Sequence, residues 1–282
     1  MENGLQTLTR EIIKFIKNDW DVVISIEGSE GVGKTDLACL VGMSIYKRFD
    51  FVRNIAYLPS LDDISDKFDS IERYGVLIID EAIKVLYKMR ALERLQVKLV
   101  EKYATERKQN KVTILCVPRH NDLNENFRNH RVMLRVWIPV RGVAIVYARD
   151  KDKDVKDPWH VSHSLEIKKR LLSKKVTERE IKEIIECERK TLNYVMDFEF
   201  PDMPPEHWDK YFSAYAQEKL REKDLKRHEG ELEGTKLELY RIALSSMIKS
   251  SLLDDKKTQR EVAEITGLSQ KTISILSRNK NT

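Results

Sequence analysis

The residues best suited to chemistry form a glycine-rich stretch, GSEGVGKT, at positions 28–35. It fits the pattern G-x-x-x-x-G-K-[ST] without a mismatch. Its glycines let the backbone fold tightly, so that N–H groups point inward at phosphate oxygens. Lys34 can reach the β- and γ-phosphates of ATP, and the hydroxyl of Thr35 can bind Mg²⁺. The predicted nucleotide-binding set is Gly28, Ser29, Glu30, Gly31, Val32, Gly33, Lys34, Thr35 and Asp36.

An acidic pair follows a later apolar segment, GVLIID, at 75–80. Asp80 ends that segment and can hold Mg²⁺ together with Thr35. Glu81 comes next, and the arrangement resembles additional-strand P-loop ATPases, in which a glutamate there polarises the attacking water. The end of the neighbouring strand would place such a base near the γ-phosphate. The alternative is that both acids cap a helix starting at Ala82; we favour hydrolysis, with Lys34 and Glu81 as catalytic residues.

Further candidates follow the apolar run VTILCV at 112–117. In the same group of ATPases a polar residue beyond this strand senses the γ-phosphate, a role open to Asn121 or His120. Arg128 and Arg131 are candidates for an arginine finger that reaches a neighbouring subunit and stabilises transferred charge. A surface or phosphate-contacting role is the alternative for each arginine.

The hydrophobic pattern supplies a framework for these groups. Short apolar runs predict strands, and the segments before and after Arg141-Gly142 predict a β-hairpin. Apolar residues at helical spacing predict helices between the strands. The fold class is therefore α/β, with a mostly parallel sheet plus a hairpin. With the motifs above, this layout resembles a P-loop NTPase with a RecA-like sheet. The predicted strands outside the hairpin are 21–27, 54–58, 75–80 and 112–117, and the predicted helices are 5–18, 35–48, a segment after Ser60, and 91–108.

The carboxyl-terminal part of the chain differs from the rest in its residue pattern and is predicted to be all-α. Thr177 and Glu180 have capping-box spacing ahead of a helix expected to reach about residue 195. We place the ATPase domain at 1–156, a helical middle region at 157–234 and a helix-turn-helix module at 235–282.

The stretch from Gln259 to Arg278 resembles a helix-turn-helix, with Gly267 at the turn. Such a module places its second helix in the major groove of DNA. Two amphipathic helices could instead form a packing or oligomerisation unit. The predicted DNA contacts are Ser269, Gln270, Lys271, Thr272, Ser274 and Arg278.

Composition limits the class of protein more than it identifies it. The 282 residues are 41% hydrophobic and 34% charged, as expected for a globular chain. A net charge of +5 permits nucleic acid as a partner without requiring it. The three cysteines have no metal or disulfide spacing, and no signal peptide or membrane-spanning run is evident. These features predict a cytoplasmic protein, or one in the host cytoplasm if it is viral.

The order of motifs resembles the RecA-like motors of the FtsK–HerA group, including zonula-occludens-toxin-like proteins and viral packaging ATPases. The segments IIDEAIKVLY and PRHNDLNENFRNHR carry this resemblance, which covers about residues 20–150. It implies a Mg-ATP-driven motor or remodeller of double-stranded DNA, working as a homo-oligomer or ring, in a virus or mobile element. The alternatives are an ATP-controlled replication initiator or helicase loader, and an ATP-dimerised transcription regulator.

Overall fold

The computed structural model describes residues 3–57, 61–87, 109–150, 158–159, 177–220 and Thr258. The chain divides into two compact units, Met1–Glu218 and Lys219–Thr282. The second unit lies almost wholly outside the described residues, as do the helix expected at 91–108 and the helix-turn-helix.

A seven-stranded sheet forms the centre of the described part of the first unit. The strands are β1 (Val22–Glu27), β2 (Ile55–Ala56), β3 (Val76–Ile79), β4 (Val112–Val117), β5 (Val132–Val140), β6 (Val143–Ala148) and β7 (Tyr194–Glu199). Their order in the sheet is β2-β3-β4-β1-β5-β6-β7. The first five in this order are parallel to one another, β6 is antiparallel to β5, and β7 is antiparallel to β6. This confirms the prediction of a mostly parallel sheet extended by a hairpin.

Helices cover both faces of the sheet, which is why β1, β3 and β4 are buried at every residue. The described helices are α1 (Gly4–Lys17), α2 (Lys34–Ile45), α3 (Leu61–Ser70), α4 (Ile83–Leu86), a 3-10 turn (His120–Asp122), α5 (Glu125–His130), α6 (Glu178–Glu188) and α7 (205–220). Alternate side chains of β1 enter different cores: Ile24 and Ile26 pack on the α1–α2 side, whereas Val23 packs on the α3–α4 side.

The first unit continues well beyond the boundary at 156 that the sequence suggested. The capping box of Thr177 and Glu180 is present, but α6 ends at Glu188 rather than near 195. The following residues form β7, which pairs with β6 and extends the sheet. After β7 the chain supplies Phe200, Met203 and Tyr211 to the α1–α2 core. Residues 177–218 are therefore part of the nucleotide-binding unit.

Within the residues that the structure describes, no helix is long and apolar enough to cross a membrane.

Candidate nucleotide-binding site

The phosphate-binding loop connects β1 to α2 at the carboxyl edge of the sheet. A side chain at Gly28 would meet the Val32 side chain at 2.7 Å and the Ile138 carbonyl oxygen at 2.9 Å, so the position has no room for one. Gly33 has φ +93°, a left-handed conformation that favours glycine, and it is the N-cap residue of α2. The free N–H groups of the first turn of α2, beside the loop, form an anion-binding site.

Lys34 lies inside the curve of this loop. Its ammonium nitrogen donates to the carbonyl oxygens of Gly28 at 2.9 Å and Ser29 at 2.7 Å. Burial lowers the pKa of Lys34, while the charges of Asp80 and Glu30 act in the opposite direction. Lys34 is therefore a cation placed at the phosphate-binding loop and within electrostatic reach of Asp80.

Asp80 follows the end of β3, at the same edge of the sheet as the loop. β4 lies between β3 and β1, which is the additional-strand arrangement expected from the motif order. The thiol of Cys116 in β4 lies 3.9 Å from the carbonyl oxygen of Lys34, so β4 contacts the start of α2. Strand order thus brings Asp80 and Lys34, which are distant in sequence, to one site.

Both carboxylate oxygens of Asp80 accept hydrogen bonds. The Tyr211 hydroxyl donates to Oδ2 at 2.5 Å, and the Glu81 backbone N–H donates to Oδ1 at 3.1 Å. Burial raises the pKa of Asp80, and the two hydrogen bonds oppose that shift because they stabilise the ionised form. The carboxylate is therefore oriented from two sides.

Glu81 is exposed and has φ +52°, an uncommon backbone conformation for a residue with a side chain. Its carboxylate forms an ion pair with Lys84. The N-cap of α4 is Ala82, and no side chain caps this helix. The geometry therefore gives no support to the alternative in which the acidic pair serves as a helix cap.

The site fits a magnesium ion held jointly by protein and nucleotide. Thr35 and Asp80 offer a hydroxyl and a carboxylate, the oxygen donors that Mg²⁺ prefers. The described residues contain no cluster of three or more His, Cys, Asp or Glu side chains that could hold a metal unaided. At sites that bind Mg²⁺ together with a nucleotide, one or two protein oxygens usually act with the substrate phosphates.

Arg141, at the tip of the β5–β6 hairpin, is a loop contact that the sequence analysis missed. Its guanidinium donates to the Gly31 carbonyl oxygen at 3.1 Å, to Asp36 at 3.1 Å and to Asp202 at 2.8 Å. Asp36, in the first turn of α2, is 2% exposed and also accepts from the Met203 backbone N–H at 3.1 Å. The sequence predicted the hairpin but not the parallel pairing of β5 with β1, and this pairing brings the tip of the hairpin to the edge that bears the loop.

The two sensor candidates lie in different surroundings. His120 is fully buried, with Nδ1 2.7 Å from the Ser25 hydroxyl and its ring against Trp159. Asn121 is partly exposed, and its side-chain oxygen accepts from Arg128 at 3.4 Å. The position of His120 behind β1 indicates a structural role, so the sensor prediction now applies only to Asn121.

The two arginine-finger candidates differ in position and in burial. Arg131 directly precedes β5 and is therefore at the amino edge of the sheet, opposite the phosphate-binding loop. Its side chain is 8% exposed and pairs with Asp21 at 3.8 Å. Because this side chain is buried in an ion pair within its own chain, the structure favours a structural role for Arg131 over that of an arginine finger. Arg128 is partly exposed and remains a candidate.

A buried ionic cluster supports the loop from behind. Glu27, the last residue of β1, receives Arg135 Nε at 2.6 Å and the His120 backbone N–H at 2.7 Å. The Arg135 guanidinium lies 5.1 Å from the ring centroid of Tyr147, whose hydroxyl donates to Glu188 at 2.7 Å. The cluster therefore links β1 to β5, β6 and α6 immediately before Gly28.

Together, this strand order, the loop from Gly28 to Thr35 and the acidic pair after β3 are the features of the P-loop NTPase fold. The predicted DNA contacts from Ser269 to Arg278 lie outside the described residues.

Comparison with solved structures finds P-loop NTPases at 14% identity. The genome packaging NTPase B204 from Sulfolobus turreted icosahedral virus 2, in complex with ATP-gammaS, has a TM-score of 0.34; the match covers 46% of this chain and 93% of that one. A single-residue variant of RuvB from Thermotoga maritima has a TM-score of 0.37, with 96% and 83% covered. The N-terminal domain of zonular occludens toxin from Neisseria meningitidis has a TM-score of 0.31, with 58% and 98% covered.

All three TM-scores lie below 0.5, so the fold assignment rests on the strand order and the site of this chain. No protein-family model and no curated protein matches the sequence.

Proposed function

We propose that this protein hydrolyses ATP with Mg²⁺ and couples hydrolysis to moving or remodelling double-stranded DNA. The main supporting observation is that Lys34 and the acidic pair Asp80-Glu81 lie at the same edge of the sheet. Lys34 follows β1 and the acidic pair follows β3, and β4 lies between these two strands. Binding alone would not require a glutamate beside the metal-binding aspartate. The combination supports a hydrolase rather than a nucleotide-binding module.

Each residue has a role that follows from its position. The loop amides and Lys34 bind the phosphates, and Lys34 exchanges its carbonyl partners for phosphate oxygens. Thr35 and Asp80 hold Mg²⁺, which would neutralise charge on the transferred phosphoryl group. Glu81 acts as the general base for water, because its exposed carboxylate follows Asp80 directly and its one described ionic partner is the exposed Lys84. Arg141 holds the loop from the hairpin side.

The DNA partner is proposed from the sequence between Thr258 and Arg278. Its helix-turn-helix spacing and its surrounding lysines at 256, 257, 271 and 280 support contact with phosphates and a groove. A ring or other homo-oligomer is proposed because an arginine finger, here Arg128, requires a neighbouring subunit. The biological setting proposed is genome packaging or DNA translocation in a virus or mobile element.

Steady-state ATP hydrolysis, with and without long double-stranded DNA, tests the proposal. The wild-type protein is expected to turn over ATP and to be stimulated several-fold by DNA. Glu81→Gln is expected to retain ATP binding and to lose about 100-fold or more of its turnover, since general-base catalysis contributes about 10²–10⁴-fold. ATP binding without turnover under any DNA condition would overturn the proposed motor.

Glu72→Gln is the matched control. Glu72 precedes β3, at the amino edge of the sheet, and pairs with Arg48 on the surface. The same chemical change at the opposite end of the same strand is expected to leave turnover unchanged. An equal loss in both variants would show that the effect of Glu81→Gln is not specific to the site.

A further inference from the structure

Tyr211 reaches the proposed metal site from α7, an element that the sequence motifs do not include. Its hydroxyl donates to Asp80 Oδ2 at 2.5 Å, and its side chain is buried, at 8% exposure. The ring packs edge-on against Tyr57, with centroids 4.9 Å apart, and against Trp208 at 5.1 Å. The aromatic cluster therefore fixes the position of the hydroxyl on the carboxylate.

The contact determines how Asp80 presents its oxygens. Glu81 N–H occupies one direction at Oδ1, and Tyr211 occupies one direction at Oδ2. The Cys116 thiol is a third hydrogen-bonding neighbour of this carboxylate. A carboxylate has about four acceptor positions, so at least one remains for a metal ion or a metal-bound water. With both hydrogen bonds made, rotation of the carboxylate would break at least one of them.

α7 is held in place independently of this hydroxyl. Next to its start, Met203 N–H donates to Asp36, and near its end Glu218 pairs with Lys67 at 2.5 Å. Glu218 also accepts from Tyr57 N–H at 3.1 Å. Removal of the Tyr211 hydroxyl should therefore leave the helix docked and alter Asp80 alone.

We propose that Tyr211 is a positioning residue of the magnesium site, whose hydroxyl orients Asp80 for the ion that accompanies ATP. The inference rests on the proposed Mg-ATP function and deepens it by adding a residue that lies 131 positions beyond Asp80. Hydrogen-bond partners of metal-binding carboxylates act in this way, and losing one typically costs about 10- to 100-fold in metal affinity or activity.

The test compares Tyr211→Phe with Tyr57→Phe. Both changes remove one tyrosine hydroxyl from the same cluster, but the Tyr57 hydroxyl donates to the Phe51 carbonyl oxygen at 3.0 Å and not to Asp80. Binding of a fluorescent ATP analogue is measured in EDTA and across a range of free Mg²⁺ concentrations. The melting temperature of each variant is measured alongside, to confirm that both are folded.

Added Mg²⁺ is expected to increase the affinity for the nucleotide, and the readout is the Mg²⁺ concentration that gives half of this increase. In Tyr211→Phe that concentration is expected to rise about 10-fold or more, whereas nucleotide binding in EDTA is expected to stay unchanged. Tyr57→Phe is expected to retain the wild-type Mg²⁺ dependence. An unchanged Mg²⁺ dependence in Tyr211→Phe, an equal shift in both variants, or tighter Mg²⁺ binding without the hydroxyl would overturn the proposal. Because the readout is binding, a wild-type protein that binds Mg-nucleotide without hydrolysing it would refute the proposed function and leave this test intact.

Discussion

The ionic pair behind the phosphate-binding loop allows a sharp prediction about stability. Glu27 and Arg135 are each 1% exposed, and Nη2 of the arginine lies 2.5 Å from Oε1 of the glutamate. Glu27→Gln keeps the size of the side chain but removes its charge. The guanidinium of Arg135 then remains charged in an interior that has lost its nearest counter-ion, and Glu188 is the remaining acidic group of the cluster.

Breaking a buried pair by removing one partner costs about 3–5 kcal/mol. A change of about 1 kcal/mol shifts the melting temperature of a domain of roughly 200 residues by about 2–4 °C. Glu27→Gln should therefore lower the melting temperature by roughly 6–20 °C. The exposed pair of Glu72 and Arg48, with side chains 62% and 77% exposed, provides the contrast. An exposed pair contributes about 0–1 kcal/mol, so Glu72→Gln should change the melting temperature little.

Thermal unfolding followed by circular dichroism measures both variants, and the double variant Glu27→Leu with Arg135→Met tests the cause. Replacing a whole buried pair by apolar residues is often neutral or stabilising. The double variant does lose the acceptor for the His120 N–H, at about 1–3 kcal/mol, yet it should still be more stable than Glu27→Gln. If the double variant melts no higher than Glu27→Gln, the uncompensated charge is not the cause and the reasoning fails.

Two further predictions concern the loop and the thiols. Arg141→Ala should weaken binding of an ATP analogue by roughly 5- to 30-fold, because Gly31 and the buried Asp36 lose a charged donor. This corresponds to about 1–2 kcal/mol, after allowance for the half-exposed guanidinium. Arg141→Lys should recover part of the affinity, and unchanged binding in Arg141→Ala would contradict the role. Burial raises the pKa of the Cys39 and Cys116 thiols. A thiol reagent at neutral pH should therefore label the exposed Cys187 and leave these two unlabelled until the protein unfolds. Labelling of the folded Cys187→Ser variant would contradict this prediction.

The sequence was most informative where function depends on local order. The strand, turn and helix around Gly28–Thr35 follow from neighbouring residues, and the fully apolar run before Asp80 predicts a strand covered on both faces. The hairpin around Arg141-Gly142 was predicted for the same reason. In each case the residues that define the element are close neighbours in the chain.

Long-range pairing was less accessible. β7 has the sequence YVMDFE, with partly exposed and polar positions, and its partner β6 ends far earlier in the chain, at Ala148. The strand was therefore not predicted, and the preceding helix was extended to about residue 195. Tyr211 had no sequence signal, because its role depends on where α7 docks. The burial of Arg131 against Asp21 had no sequence signal either, because it depends on how β5 pairs with β1.

The contacts that hold the Asp36 carboxylate have a consequence for biosynthesis. The carboxylate accepts hydrogen bonds from Arg141, 105 residues later in the chain, and from the backbone N–H of Met203, 167 residues later. At about 5–20 residues per second, a ribosome needs roughly 8–33 s to make the second of these contacts possible. Until then the nascent chain carries the whole GSEGVGKT motif without the surroundings that hold it. The protein therefore acquires its full nucleotide site late in synthesis, when most of the polypeptide has already emerged.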